Sequence, residues 1–97
     1  MSRKAQRTAH KQTALAQEAD KVMAFLDHPT MIHVSSTAPD GCLWVRVEAR
    51  DTEGSMGVSL GHPLLEPFKD ELRGRGVRVF DSEMEFDAAV REARATN

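Results

Sequence analysis

The chain has 97 residues, of which 40% are hydrophobic and 29% are charged, and its formal net charge is −2. This length fits one domain, and the composition is typical of a folded globular protein rather than a disordered one. No run of about 18 apolar residues occurs, so we expect no membrane span, and the basic N-terminus lacks the apolar segment of a secretory signal. The single cysteine, Cys42, can form no internal disulfide, which favours a reducing, cytoplasmic location.

Charge is distributed unevenly along the chain. Residues 1–17 carry four basic side chains and no acidic one, and the remainder carries nine basic and fifteen acidic side chains. A basic arm on an acidic body favours contact with an anionic surface, either nucleic acid or an acidic partner; an ordinary solvated terminus is the competing interpretation. We therefore divide the chain into a basic N-terminal arm or helix extension, 1–12, and one compact domain, 13–97. The candidate binding residues of the arm are Arg3, Lys4, Arg7 and Lys11.

An amphipathic helix is predicted from Thr13 onward. Its apolar residues recur at i, i+4, i+7, i+8 and i+11, which places them in one stripe at the α-helical period. Pro29 ends this helix, because the residue before a proline is pushed out of α geometry. Residues 2–12 contain no helix breaker, so the helix can extend into the arm, although no apolar stripe supports that part. The stripe consists of Leu15, Ala19, Val22, Met23 and Leu26.

Three strands are predicted next, over 31–35, 42–50 and 55–60. The segments TAPDG (37–41) and DTEG (51–54) separate them and have the composition of tight turns. Short strands joined by such turns indicate an antiparallel meander.

The C-terminal part is predicted to form a helix over 64–73, a fourth strand over 77–80 and a last helix. Ser82 and Glu85 form a capping box at the start of the last helix, and its apolar residues repeat at i, i+3, i+4 and i+7. The order α-β-β-β-α-β-α predicts an α+β domain with a four-stranded mixed sheet. We expect the two C-terminal helices to share one face of this sheet, and the crossover to its fourth strand to be right-handed if the strands are parallel.

The only tryptophan lies among charged residues in the second predicted strand. Leu43, Val45 and Val47 alternate with Trp44 and its charged neighbours, so the indole points away from the aliphatic face. We favour burial of Trp44 beneath the N-terminal helix, whose apolar stripe must pack somewhere. The alternative is an open contact patch, because Trp and Arg are enriched at binding hot spots and also suit single-stranded nucleic acid. The patch would comprise Trp44, Arg46 and Arg50.

An α-β-β-β-α-β order resembles the core of the PD-(D/E)XK nucleases, and the sequence offers Pro39-Asp40 and Glu48-Ala49-Arg50 at the corresponding motif. The resemblance implies two carboxylates and a lysine around one metal ion. Here Arg50 replaces the lysine, and arginine cannot lose its proton to act as a base. Asp40 and Glu48 would also lie on the order of 25 Å apart along one extended strand. We therefore expect no nuclease activity.

Other catalytic signatures are missing from the sequence. It contains no Ser-His-Asp grouping, P-loop or dinucleotide fingerprint, and its four histidines form no close ligand pair with each other or with Cys42. We expect a non-enzymatic module without metal or cofactor that docks on a protein partner, in a regulatory, inhibitory or assembly role, such as a small bacterial or phage accessory protein. The alternative function is nucleic-acid binding through residues 3–11. A homodimer through the N-terminal helix is a further hypothesis.

Overall fold

The computed structural model describes residues 3–37, 42–50 and 52–95, with side chains from 13 onward except Thr37. It confirms the predicted order and the single α+β domain with a four-stranded mixed sheet. The elements are α1 (Arg3–Phe25), β1 (Met31–Thr37), β2 (Cys42–Ala49), β3 (Thr52–Val58), a 3₁₀ turn (His62–Leu64), α2 (Leu65–Gly74), β4 (Arg78–Phe80) and α3 (Glu83–Ala95). Most of the predicted TAPDG turn lies outside the described residues.

The sheet has the strand order β3-β2-β1-β4, so that β3 and β4 form its two edges. β2 is antiparallel to both β1 and β3, whereas β4 runs parallel to β1. The β2–β3 hairpin is tighter than predicted, because Ala49 already pairs with Thr52 and Arg50 takes a left-handed φ of 53° in the turn. The chain then crosses through α2 from one edge of the sheet to the other.

One side of the sheet, which we call the aliphatic face, carries apolar side chains on all four strands. α1 and α2 cover it together: Ala19 and Val22 of α1 and Phe68 and Leu72 of α2 are fully buried there. The predicted stripe of α1 is therefore used within the chain, which removes the observation on which the homodimer hypothesis was based. The apolar residues of this face include Ile32, Val34, Leu43, Val45, Val47, Met56, Val58 and Val79.

The opposite side, which we call the indole face, packs against α3 in the described part of the chain. The prediction that both C-terminal helices share one face is wrong, because α3 packs here, with Phe86 and Val90 against Met31. The physical reason is the distribution of apolar side chains: the aliphatic face needs two helices, and Met31 and Phe80 need cover on the other side. The residues of the indole face include Met31, His33, Ser35, Trp44, Arg46, Glu48, Glu53, Ser55, Gly57 and Phe80.

Charged side chains fix α1 to its surroundings. Glu18 is almost fully buried, and its carboxylate accepts a 2.6 Å hydrogen bond from the backbone N–H of Ser59 and pairs with Lys21. Burial alone would raise the pKa of Glu18, but the hydrogen bonds from Lys21 and from Ser59 outweigh it and lower the pKa. Arg75, directly after α2, also holds α1 in place. It pairs with Asp20 and donates to the carbonyl of Ala16, both in α1.

Candidate functional site

The three candidate residues of the second strand do not form one patch. Trp44 and Arg46 lie on the indole face two positions apart, whereas Arg50 lies in the hairpin turn beyond the other end of β2. Six residues of extended chain place Trp44 and Arg50 about 20 Å apart. The structure therefore leaves Trp44 as the centre of any site on this face.

Trp44 is not buried beneath α1, which corrects the favoured prediction. Its relative exposure is 43%, because α1 packs on the aliphatic face and the main contacts of α3 with the sheet are with β1 and β4. The indole lies over Gly57, its partner on β3, with two ring carbons 3.6 Å from where a Cβ would stand. A Cβ at this position would be in ordinary van der Waals contact with the flat ring.

Arg46 is engaged within the fold. Its guanidinium pairs with Glu53 on β3 and with Glu83 and Asp87 on α3, and it lies 4.8 Å from the centre of the Phe86 ring. The hydrogen bond to Glu53, together with the bond to Asp87, raises the pKa of Arg46 although burial opposes the charge. Because its donors and one of its flat faces are occupied, we assign Arg46 the role of joining α3 to the sheet.

Glu48 lies beneath the same helix and is 1% exposed. Arg94 of α3 donates to both of its carboxylate oxygens, at 3.0 and 3.3 Å. This is the carboxylate that matches the nuclease motif, and the structure pairs it with a cation rather than presenting it to an open cleft. Asp40, the second acid of that motif, lies outside the described residues, and among the described ones no group of three His, Cys, Asp or Glu side chains could hold a metal ion.

His33 shows how the indole face changes along β1. Its ring is nearly buried, Nδ1 is 3.1 Å from the carbonyl oxygen of Phe80, and the ring lies 6.3 Å from that of Phe86. Phe80 and Phe86 meet edge to face at 6.1 Å. The half of the face over β1 and β4 is thus a small aromatic core, and the half that carries Trp44 lies beyond it.

The basic arm is placed only in part. The backbone of residues 3–12 continues α1, while the side chains of Arg3, Lys4, Arg7 and Lys11 lie outside the described ones. The arginines at the C-terminal end of α2 belong to ion pairs. Arg73 contacts Asp70 and Asp81, and Arg75 contacts Asp20 and Glu71.

A second exposed aromatic ring was not predicted from the sequence. Phe25, the last residue of α1, is 41% exposed on the aliphatic side, and its ring lies over Gly54 of β3, with one ring carbon 2.8 Å from where a Cβ would stand. β3 thus has one partly exposed ring on each side of it, Phe25 and Trp44. The only feature of the sequence that could have indicated these two rings was the pair of glycines in β3. Their odd spacing places them on opposite faces of the sheet.

A shallow hollow lies beside the tryptophan, lined by Trp44, Arg46, Glu53, Gly54 and Ser55. It contains an aromatic surface, an ion pair and exposed backbone of the edge strand. Within the described part of the chain, no helix has the length and apolar character needed to cross a membrane.

In comparisons of sequence and of fold, no family model, curated protein or solved structure matches this chain. Its function must therefore be argued from the site itself.

Proposed function

We propose that this protein is a non-catalytic module that docks on a protein partner through the Trp44 end of the indole face. The observation that carries the proposal is the exposure of the single tryptophan, at 43%, on the part of the sheet that α3 leaves uncovered. An indole supplies a large contact area and loses little conformational freedom on binding, so tryptophan is the residue most often found at the centre of a binding hot spot.

The surroundings of Trp44 favour a protein over a polyanion. Arg46, the nearest described cation on this face, is already paired with three carboxylates. The part of the chain beyond residue 17 carries an excess of six acidic side chains, which repels a phosphate backbone. A rigid aromatic surface beside satisfied ion pairs resembles the centre and rim of a protein interface. Because the single Cys42 can form no internal disulfide, we place this role in the cytoplasm.

The proposal is tested by affinity capture from a cell lysate with the tagged full chain and with the variant Trp44→Ala, each followed by quantitative mass spectrometry. Met84→Ala is the matched control, because Met84 is an apolar side chain with 80% exposure on α3. We expect a partner that is retained by the wild type and the control but lost by Trp44→Ala. Equal recovery with all three proteins would contradict docking at Trp44.

Nucleic-acid binding through residues 3–11 is the second proposal, and the +4 charge of residues 1–17 supports it. Phosphate contacts release counterions, so binding that uses this arm must weaken steeply as salt rises. A titration of labelled DNA and RNA with the full chain and with a chain lacking residues 1–12, at several salt concentrations, measures this. Salt-independent or absent binding would rule this second function out.

A further inference from the structure

The edge strand β3 combines three features that belong to one kind of binding site. Among the described strands it has a neighbour on one side only, so alternate backbone N–H and C=O groups point outward. The rings of Trp44 and Phe25 lie over it on opposite faces, at Gly57 and Gly54. Edge strands are commonly guarded by charged side chains, proline or a bulge; the sequence TEGSMGV contains no lysine or proline, and its one charged side chain, Glu53, is paired with Arg46.

We propose that β3 accepts an added strand from the partner protein, in the form of an extended, uncharged segment with two apolar side chains three positions apart. This inference rests on the proposed docking at Trp44 and adds how the partner is bound. Backbone hydrogen bonds to the edge would supply part of the affinity, and the two rings would select the side chains.

The spacing of the two apolar side chains follows from the geometry of the sheet. Gly54 and Gly57 are three residues apart, so they lie on opposite faces, and each has one ring beside it. Residues of an added strand that lie opposite these glycines are likewise three apart and point to opposite faces. One of them would meet the edge of Trp44 and the other the edge of Phe25.

The charges along β3 determine the polarity of the occupant. Glu53 is the only charged residue in the strand, and its carboxylate already pairs with Arg46 and lies 3.7 Å from Arg94. A charged side chain of the partner would therefore lose water at β3 without gaining a counter-charge from the strand. Electrostatic complementarity thus selects a neutral segment, and it disfavours a phosphate backbone at this edge.

The probe for the test is a displayed library of random peptides longer than β3, selected on the full-length protein. We expect the selected peptides to be uncharged and to carry apolar residues at i and i+3. Each of the variants Trp44→Ala and Phe25→Ala should weaken a selected peptide at least about tenfold, as loss of a hot-spot aromatic does, whereas Met84→Ala should leave its affinity unchanged.

Backbone pairing is tested separately from the aromatic contacts. Methylation of alternate peptide nitrogens removes the N–H donors without altering the protein, and one of the two methylation patterns should abolish binding. On the protein, proline is tolerated in an edge strand where the N–H faces solvent, so one of Ser55→Pro and Met56→Pro should stay folded and lose the peptide. Binding that survives both methylation patterns would overturn strand addition.

The remaining outcomes separate this inference from the proposed function. A lysate partner that needs Trp44 but binds Phe25→Ala and a folded proline variant as tightly as the wild type supports docking and overturns strand addition. A selection without binders, or with binders that lack the i, i+3 pattern, overturns it as well. The last outcome is that no peptide is selected and the chain self-associates in a way that the same proline variant abolishes. The occupant of β3 would then be a second copy of the chain, and strand addition by a partner protein would be overturned.

Discussion

The two faces of the sheet are closed in different ways. The aliphatic face carries apolar residues on every strand and is covered by α1 and α2, which form one continuous core with it. Among the described residues, the indole face is covered by α3, through a small cluster around Phe86 and through ion pairs of Arg46 and Arg94. The larger apolar core therefore lies on one side of the sheet, and the exposed Trp44 lies on the other.

A chain of this size can leave part of its sheet uncovered by helices. Three helices cannot cover both faces of a four-stranded sheet when one face requires two of them. The remaining helix lies where Met31 and Phe80 offer apolar contact, which leaves the Trp44 end without a helix. Exposure of the indole thus follows from the distribution of aliphatic residues rather than from any feature of Trp44 itself.

The largest effect is expected in the aliphatic core. Phe68 is fully buried between α2 and the sheet, so Phe68→Ala leaves a cavity and should lower the free energy of unfolding by about 3–5 kcal/mol. Urea denaturation followed by circular dichroism measures the change. A decrease of less than about 1 kcal/mol in the free energy of unfolding would show that the main core does not lie on the aliphatic face.

A smaller and more local effect is expected beneath α3. Arg94→Met removes the cation from Glu48, whose carboxylate is buried, and should cost about 2 kcal/mol; the loss is moderated because Arg94 itself is half exposed. Hydrogen exchange should show α3 losing protection before α2 does, since α3 is held by fewer apolar contacts. Equal loss of protection in both helices would contradict the separation of the faces.

The next effect depends on pH. The pKa of Glu18 is lowered in the fold, so its contribution is fully present above the ordinary value of 4.5 and is lost as pH falls through the lowered pKa. Glu18→Gln should therefore cost about 1.5 kcal/mol at neutral pH and progressively less in acid. Thermal unfolding of the wild type and of Glu18→Gln across this pH range measures the difference in stability. A difference that becomes larger in acid would contradict the stabilising role of the ionised Glu18.

The smallest change in stability is expected for Trp44→Ala. The indole lies beside Gly57 and is 43% exposed, so the free energy of unfolding should fall by less than about 1 kcal/mol. Urea denaturation of this variant beside Met84→Ala, an exposed site, provides the comparison. A loss similar to that of Phe68→Ala would mean that Trp44 is a core residue.

Much of the fold could be predicted from local patterns. The stripe of α1, the alternation in β2 and the capping box at Ser82 each depend on neighbouring residues, and each element forms close to its predicted place. The face on which each helix packs depends instead on competition among elements distant in sequence. For that reason the positions of α1 and α3 could not be deduced from their own residues.

The candidate site was predicted less completely. Alternation in β2 showed that Trp44 leaves the aliphatic face, but not whether another element covers it. Arg46 is predicted as a binding residue, and its pairing with Glu83 and Asp87 follows from the packing of α3, which sequence spacing does not reveal. Phe25 was missed because its proximity to Gly54 depends on the tertiary path of α1.

The most direct test of the account is the fluorescence of Trp44, the only tryptophan in the chain, with and without acrylamide. An indole on an open half of the sheet predicts an emission maximum near that of tryptophan in water and efficient quenching in the native protein. A blue-shifted emission that acrylamide quenches only after unfolding would show the indole face to be closed, and would contradict the docking surface.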